Sequence, residues 1–153
     1  MDDPDRILDY ERGVLMARSE RNRAKATANR WFSKYIRLRD CISSTRGVEY
    51  GRCVTCGDLK AFKGLDCGHF VPGRTDALLY DEHNAAAQCQ RCNRFMQGQW
   101  VEFEQALITR YGQPEVDRLK RLKNSPVGYS VPDLRAIADK YREKYKTLLE
   151  DNK

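Results

Sequence analysis

Two Cys-x-x-Cys pairs, Cys53/Cys56 and Cys89/Cys92, bracket the segment Asp66-Cys67-Gly68-His69-Phe70. Four thiolates in two such pairs close a tetrahedral zinc site, a far stronger signal than either pair alone. A single pair also fits a thioredoxin-like redox motif, but no strand-helix-strand pattern accompanies it here. The spacer between the pairs runs 32 residues, Gly57 to Gln88, longer than a compact zinc ribbon needs. It contains oxygen donors and both histidines of the chain, the ligand types suited to a second, catalytic divalent ion. His83 lies in the polar turn Tyr80-Asp81-Glu82-His83-Asn84 and reads as a surface residue. His69 stands on a predicted strand with Asp66 close before it, and Asn84 and Asn93 follow in the chain. Because Asn93 comes directly after Cys92, zinc binding fixes where it stands. A neutral imidazole, with an ordinary pKa of about 6.5, can take a proton from water near neutral pH.

The six cysteines also bear on compartment. No apolar run approaches the roughly 20 residues of a membrane span, and the start, Met-Asp-Asp-Pro-Asp, is acidic where a signal peptide is basic. The expected location is therefore the cytoplasm, where thiols stay reduced, and four ligands plus Cys41 and Cys67 fit better than three disulfides. Cys67 alternates with Asp66 and is expected to point into packing. With 41% hydrophobic and 33% charged residues the chain is globular rather than disordered.

Net charge is +6, unevenly spread. Residues 1–17 sum to −3, whereas residues 18–46 carry nine basic and two acidic side chains, +7. That basic run includes Arg21, Arg23, Lys25, Arg30, Lys34, Arg37 and Arg39, interleaved with Trp31, Phe32 and Tyr35. The expected arrangement is a helix with aromatics inward and arginines outward, available to phosphates; a merely solvated face is the plainer alternative.

The elements that must position these residues follow from periodicity. Asp3-Pro4 is a helix start, and Ile7, Tyr10, Val14, then Ala28, Trp31, Phe32, Tyr35 and Leu38 recur at threes and fours, predicting helix over most of 5–40, weakened near Gly13. Residues 41–51 lose the period and read as a linker. Leu65–Val71 is the best strand candidate, ended by Pro72-Gly73. Helical spacing returns from Asn93, with Trp100, Phe103, Leu107 and Tyr111 on one stripe and Gly112 as a stop. Pro114 opens a short helix to about Lys123, and Ser130-Val131-Pro132-Asp133 is a capping box for a last one. There Leu134, Ile137, Tyr141, Tyr145 and Leu148 form an apolar stripe that either packs on the chain's own core or makes a dimer seam.

The ordered set Asp-x-Gly-His-Phe, Tyr-Asp-Glu-x-Asn, then Gln88-Cys89-Gln90-Arg91-Cys92-Asn93 and Gly98 resembles the phage NinG family, also called Rap, of recombination endonucleases. The similarity covers about residues 31–112, and the terminal helices more loosely. It implies an α+β fold: a mainly helical chain around a small ββα-metal (HNH) module with a four-cysteine zinc site. Residues 1–46 would form a basic helical arm, 47–112 the nuclease module and 113–153 a helical extension. By the same resemblance His69 is the general base, Asn84 orients it and constrains the loop, and Asn93 is a ligand of the catalytic ion. Many such nucleases place Asp or His directly before the base; this chain has Gly68, so Asp66 is the candidate carboxylate. A Mg²⁺ or Mn²⁺ held by Asp66 and Asn93 would stabilise charge on the scissile phosphate, while zinc on the four cysteines does no chemistry. The plainer reading of Asp66 and Asn93 is a strand-end salt bridge and a helix cap.

The nucleic-acid contacts expected from charge and position are Arg30, Lys34, Arg37, Arg74, Arg91 and Arg94. The resulting expectation is a metal-dependent endonuclease acting on branched DNA such as Holliday junctions or D-loops, working as a homodimer in the cytoplasm of a bacterial host. Two alternatives stand beside it. One is a non-catalytic zinc module binding nucleic acid or protein; the other is an HNH nuclease or nickase without branch preference.

Overall fold

The computed structural model describes residues 4–72 and 76–153. Helix α1 (Pro4–Thr45) is followed by strands β1 (Tyr50–Arg52) and β2 (Leu59–Ala61), then β3 (Leu65–His69) and β4 (Ala85–Cys89). A π-helical turn, Arg91–Phe95, leads to α2 (Trp100–Tyr111), α3 (Gln113–Leu122) and α4 (Val131–Glu150). The described residues form an α+β, mainly helical fold with two small antiparallel sheets, β1-β2 and β3-β4.

Helix α1 runs 42 residues without a break, through Gly13 and past the expected end at residue 40. One glycine in an exposed interior costs only about 1 kcal/mol, too little to interrupt so long a helix. The extension to Thr45 buries Cys41 against Leu65 and Ala87, and the Ser44 and Thr45 hydroxyls close the last turn on the carbonyls of Asp40 and Cys41. The residues before Ala28 are mostly exposed, whereas Ala28, Phe32, Tyr35 and Ile36 are buried. Their partners are Leu134, Ala138 and Tyr141 of α4, with Ile137, Tyr145 and Leu148 at the margin. The α4 stripe therefore packs on the chain's own core. The capping box that starts α4 is present in both directions between Ser130 and Asp133.

Two arginines expected to face outward turn inward instead. Arg39 donates to the Glu82 and Ala85 carbonyls at 2.8 Å each, and Arg37 reaches the Leu65 carbonyl at 3.3 Å with its guanidinium 4.4 Å from the Phe62 ring centre. The reason is that the ends of β3 and β4 present carbonyls to α1, and a guanidinium carries several donors on one stem. Beside Arg39, the buried Asp40 accepts from the Ala87 amide at 2.7 Å and from Arg39 Nε at 2.8 Å. Helix α1 thus grips β4 with charge as well as with apolar contact.

Strand β4 had no signature in the sequence. Its residues, Ala-Ala-Ala-Gln-Cys, are all buried, so no alternation marks it, and alanine has little strand preference. Small side chains are what the position requires: Ala85 touches the α1/α4 core, and Ala86 packs with Phe70 and Phe103. The register pairs Asp66 with Gln88 and His69 with Ala85.

Candidate functional site

The first knuckle sits in the turn of the β1-β2 hairpin. Gly57, at φ 77°, donates back to the Cys53 carbonyl at 2.9 Å, folding Cys53 and Cys56 over one point. The second knuckle starts at the last residue of β4 and ends inside the π-helical turn. Together they bring four sulfur atoms within 4.8 Å of one another, with Cys56 and Cys89 3.9 Å apart. A zinc tetrahedron with bonds of about 2.3 Å has edges of about 3.8 Å, so the four cysteines fit the ion. Burial works against ionising Cys53, yet backbone N–H groups from Cys56 and Cys89 and the Thr55 hydroxyl bring its thiol down to about 6. Cys41 and Cys67 are the opposite case, pushed up by burial to about 11 and about 12. They are packing residues and inert.

A cleft of about 370 Å³ opens beside the cysteine cluster, lined in part by Asp66, His69, Asn93 and Arg94. Asp66 opens into it from β3, His69 ends that strand, and Asn93 and Arg94 come from the turn after Cys92. Helix α1 closes one side with Asn29, Phe32 and Ser33, which share a face by helical spacing. The sequence reading did not include this wall. Its signal was available, since Phe32 belongs to the apolar stripe, Asn29 stands about one turn before it, and Ser33, next to Phe32, is one turn beyond Asn29.

Burial lowers the pKa of His69, outweighing the Leu79 and Cys67 carbonyls that favour the protonated ring. Its Nε2 lies 2.9 Å from the Leu79 carbonyl, and the ring stacks on Phe32 at 6.0 Å. The imidazole is therefore neutral near pH 7. A carbonyl can only accept, so the neutral tautomer that keeps this bond has its proton on Nε2 and its lone pair on Nδ1.

Asp66 and Asn93 meet, as the spacing allowed: Asn93 Nδ2 donates to Asp66 Oδ2 at 3.0 Å. Arg94 adds a fork of two bonds to the same carboxylate at 2.7 Å each. Burial opposes ionisation of Asp66, but Arg94 and Asn93 prevail and hold its pKa below the ordinary value. The carboxylate is charged and, in this arrangement, neutralised by a side chain that is itself 56% exposed. The turn is π-helical and is separated from α2 by Gln97-Gly98-Gln99, so Asn93 is not the start of a continuous helix. The cause is steric. Three successive residues at positive φ let Cys92 reach the cluster before α2 departs.

Asn84 is elsewhere. It is fully buried, accepts from the Val71 amide at 2.8 Å and donates to the Val71 and Leu78 carbonyls. It ties the two ends of the β3-β4 connection together, one residue from the Leu79 carbonyl that holds His69. Its effect on the histidine is thus through the loop. His83 is a surface group, bonded to Glu115 at 2.7 Å and stacked on Tyr111 at 4.1 Å.

Gly68 has a structural cause. A Cβ there would meet Gln88 Oε1 at 2.4 Å and Phe103 Cε2 at 3.2 Å, so position 68 points into the β4/α2 core and not into the cleft. Gln88 is a residue the sequence reading missed; its buried amide donates to Thr55 beside the first knuckle and to the Gly98 carbonyl beyond the second.

Of the expected nucleic-acid contacts, Arg30 and Arg91 are exposed, and Lys34 lies 4.9 Å from the Trp31 ring centre. Arg37 and Arg94 are engaged as described above, and Arg74 lies outside the described residues.

The family model described as Bacteriophage Lambda NinG protein matches residues 11–151. The chain belongs to the NinG family. Protein ninG of Escherichia phage lambda is 33% identical over 97 residues, which is 63% of this chain and 47% of that protein. The matched stretch thus spans about half the length of this NinG relative. No solved structure matches. Among the described residues of this NinG chain, no helix is long and apolar enough to cross a membrane.

Proposed function

We propose that this chain is a metal-dependent endonuclease that hydrolyses phosphodiester bonds in branched DNA of the kind formed in recombination, Holliday junctions and D-loops, in the cytoplasm of a bacterial host. One observation carries the reading. A neutral imidazole, an ionised carboxylate and an amide, the last two from residues 27 apart in the chain, line one cleft beside a cysteine cluster that fits zinc. A cluster that only stabilised a binding surface gives no reason for that set.

In this mechanism His69 Nδ1 takes a proton from the attacking water, with Leu79 holding the ring in the right tautomer. Asp66 and Asn93 supply oxygen ligands, and few protein ligands suit magnesium or manganese, which keep most of their waters. Such an ion, when bound, neutralises charge developing on the scissile phosphate. Arg94 leaves Asp66 for the phosphate, a move its exposure permits. Asn84 keeps the loop, and with it the Leu79 carbonyl, in place. Symmetric cutting of a junction calls for two copies of the chain, and the exposed Ile7, Tyr10 and Val14 on α1 offer an apolar stripe for that contact.

The bidentate Arg94 pair favours one other reading. With its carboxylate already satisfied, the cleft would be structural and the protein a zinc module that binds nucleic acid. Cleavage of a labelled four-way junction and a matched linear duplex, by wild type and His69→Ala with Mg²⁺, Mn²⁺ or EDTA, decides between them. The nuclease reading expects metal-dependent cutting that the variant loses. Equal activity in the variant, or none in the wild type with any metal, overturns it; equal cutting of duplex and junction removes the branch preference and leaves the chemistry.

A further inference from the structure

The turn that carries Asn93 and Arg94 continues into Phe95 and Met96, exposed by 79% and 43%. A single exposed phenylalanine needs no explanation. This one is unusual in how firmly it is presented. Behind it, the Met96 amide donates to the Arg91 carbonyl, Gly98 to Cys92 and Gln99 to Met96, at 2.9 to 3.1 Å. The buried Gln88 amide adds a bond of 2.7 Å to the Gly98 carbonyl. Gln97, Gly98 and Gln99 stand at φ 53°, 80° and 50°, a conformation that the two glutamines adopt only because the surrounding bonds require it. The base of the turn is thereby tied to the cysteine cluster at one end and to α2 at the other.

Around Phe95 the surface is cationic and aromatic. Arg91 is exposed on the same turn, and Arg94 lies next to Phe95 in the chain. Trp100, 49% exposed, stands five residues further along the chain, with Lys120 Nζ 5.2 Å from its ring centre. An aromatic face among cations, beside a cleft that takes a phosphodiester, matches the chemistry of a nucleobase flanked by phosphates. We infer that Phe95 is a wedge that stacks on a base next to the scissile phosphate, while Arg91 holds the adjoining backbone.

This rests on reading the cleft as a site for DNA, and it supplies a physical source for branch preference. In an unbroken duplex the wedge must first part a stacked step. At a branch point the stack is already interrupted on one side, so the wedge parts the base from its remaining neighbour at lower cost.

The test uses the full chain carrying His69→Ala, with no divalent metal added, and junctions with 2-aminopurine at each position flanking the branch. Unstacking by the wedge raises the fluorescence at one of these positions. Adding Phe95→Ala abolishes that rise and weakens junction binding about 5- to 100-fold, while duplex binding changes far less. Phe95→Trp keeps the rise, and circular dichroism with bound zinc verifies that each variant is folded. An unchanged fluorescence rise in folded Phe95→Ala overturns the proposal, as does an equal loss of duplex binding. A change in oligomeric state with the rise retained also overturns it, because Phe95 would then anchor a second copy. Cleavage by the wild type is scored separately: a chain that unstacks bases but never cuts sustains the wedge and removes the nuclease.

Discussion

Gly68 is the position where nuclease analogy and packing make opposite predictions. By analogy an acidic residue there would supply a missing metal ligand and improve the site. The geometry predicts damage instead, and Gly68→Ala isolates it. The new Cβ would lie 2.4 Å from Gln88 Oε1 and 3.1 Å from Gln88 Cβ, with Phe103 at 3.2 Å. Gln88 is fully buried and cannot swing into water. Moving it strains or breaks its bonds to Thr55 and Gly98, 3.2 and 2.7 Å long, each worth about 0.5–1.5 kcal/mol. Overpacking against Phe103 adds about 1 kcal/mol or more. Replacing a strand glycine returns about 0.5–1 kcal/mol through the unfolded chain. The net expectation is a loss of about 1–3 kcal/mol, read as a urea midpoint lowered by about 1 M at unchanged slope. Gly64→Ala is the matched control, because its Cβ would meet only Lys60 Cβ, at 3.8 Å. Gly68→Asp falls further, since it also buries a carboxylate. If zinc-loaded Gly68→Ala unfolds at the wild-type midpoint, the packing argument is wrong and the glycine needs another cause.

Three other outcomes follow from the same geometry. Cys89→Ser removes one of four sulfurs that converge within 4.8 Å, so bound zinc measured by atomic absorption falls and the region from Arg52 to Phe95 loses amide protection; a variant that keeps zinc and fold would contradict the four-cysteine site. Asp40→Ala leaves the Ala87 amide and the Arg39 guanidinium without their buried acceptor, a destabilisation of about 3–5 kcal/mol by denaturant titration. The pH dependence has a definite sign. Burial lowers the His69 pKa from 6.5, so the neutral, base-competent ring persists below pH 6.5 and the acid limb of cleavage falls lower than for a free imidazole. The corresponding stability is complete above about 6.5 and is lost as pH falls through the folded value, because the unfolded ring takes up its proton first. An acid limb at or above 6.5 would mean that another group carries it.

The residues of the cleft were legible because chemistry acts through residue type and short spacing. Two Cys-x-x-Cys pairs, a histidine near an aspartate and an asparagine joined to the last cysteine can be recognised without coordinates. The α1, α2 and α4 stripes were legible as well, since a 3.6-residue period survives wherever one helix face meets water. Strand β4 was invisible for the converse reason: burial on every side leaves Ala85–Cys89 without a pattern. The inward turn of Arg37 and Arg39 was equally hidden, because charge alone does not reveal which carbonyls lie opposite.

By itself, the sequence determined which groups this protein has for binding metal and moving a proton, and the order in which it presents them. The tertiary structure decided their state. It sent Asn84 to the loop and out of the cleft, closed the cleft with Phe32, and set Arg94 on Asp66. It also aimed residue 68 into the core, where only a glycine fits. These are contacts between residues tens of positions apart, set by which faces pack together, and no local spacing encodes them.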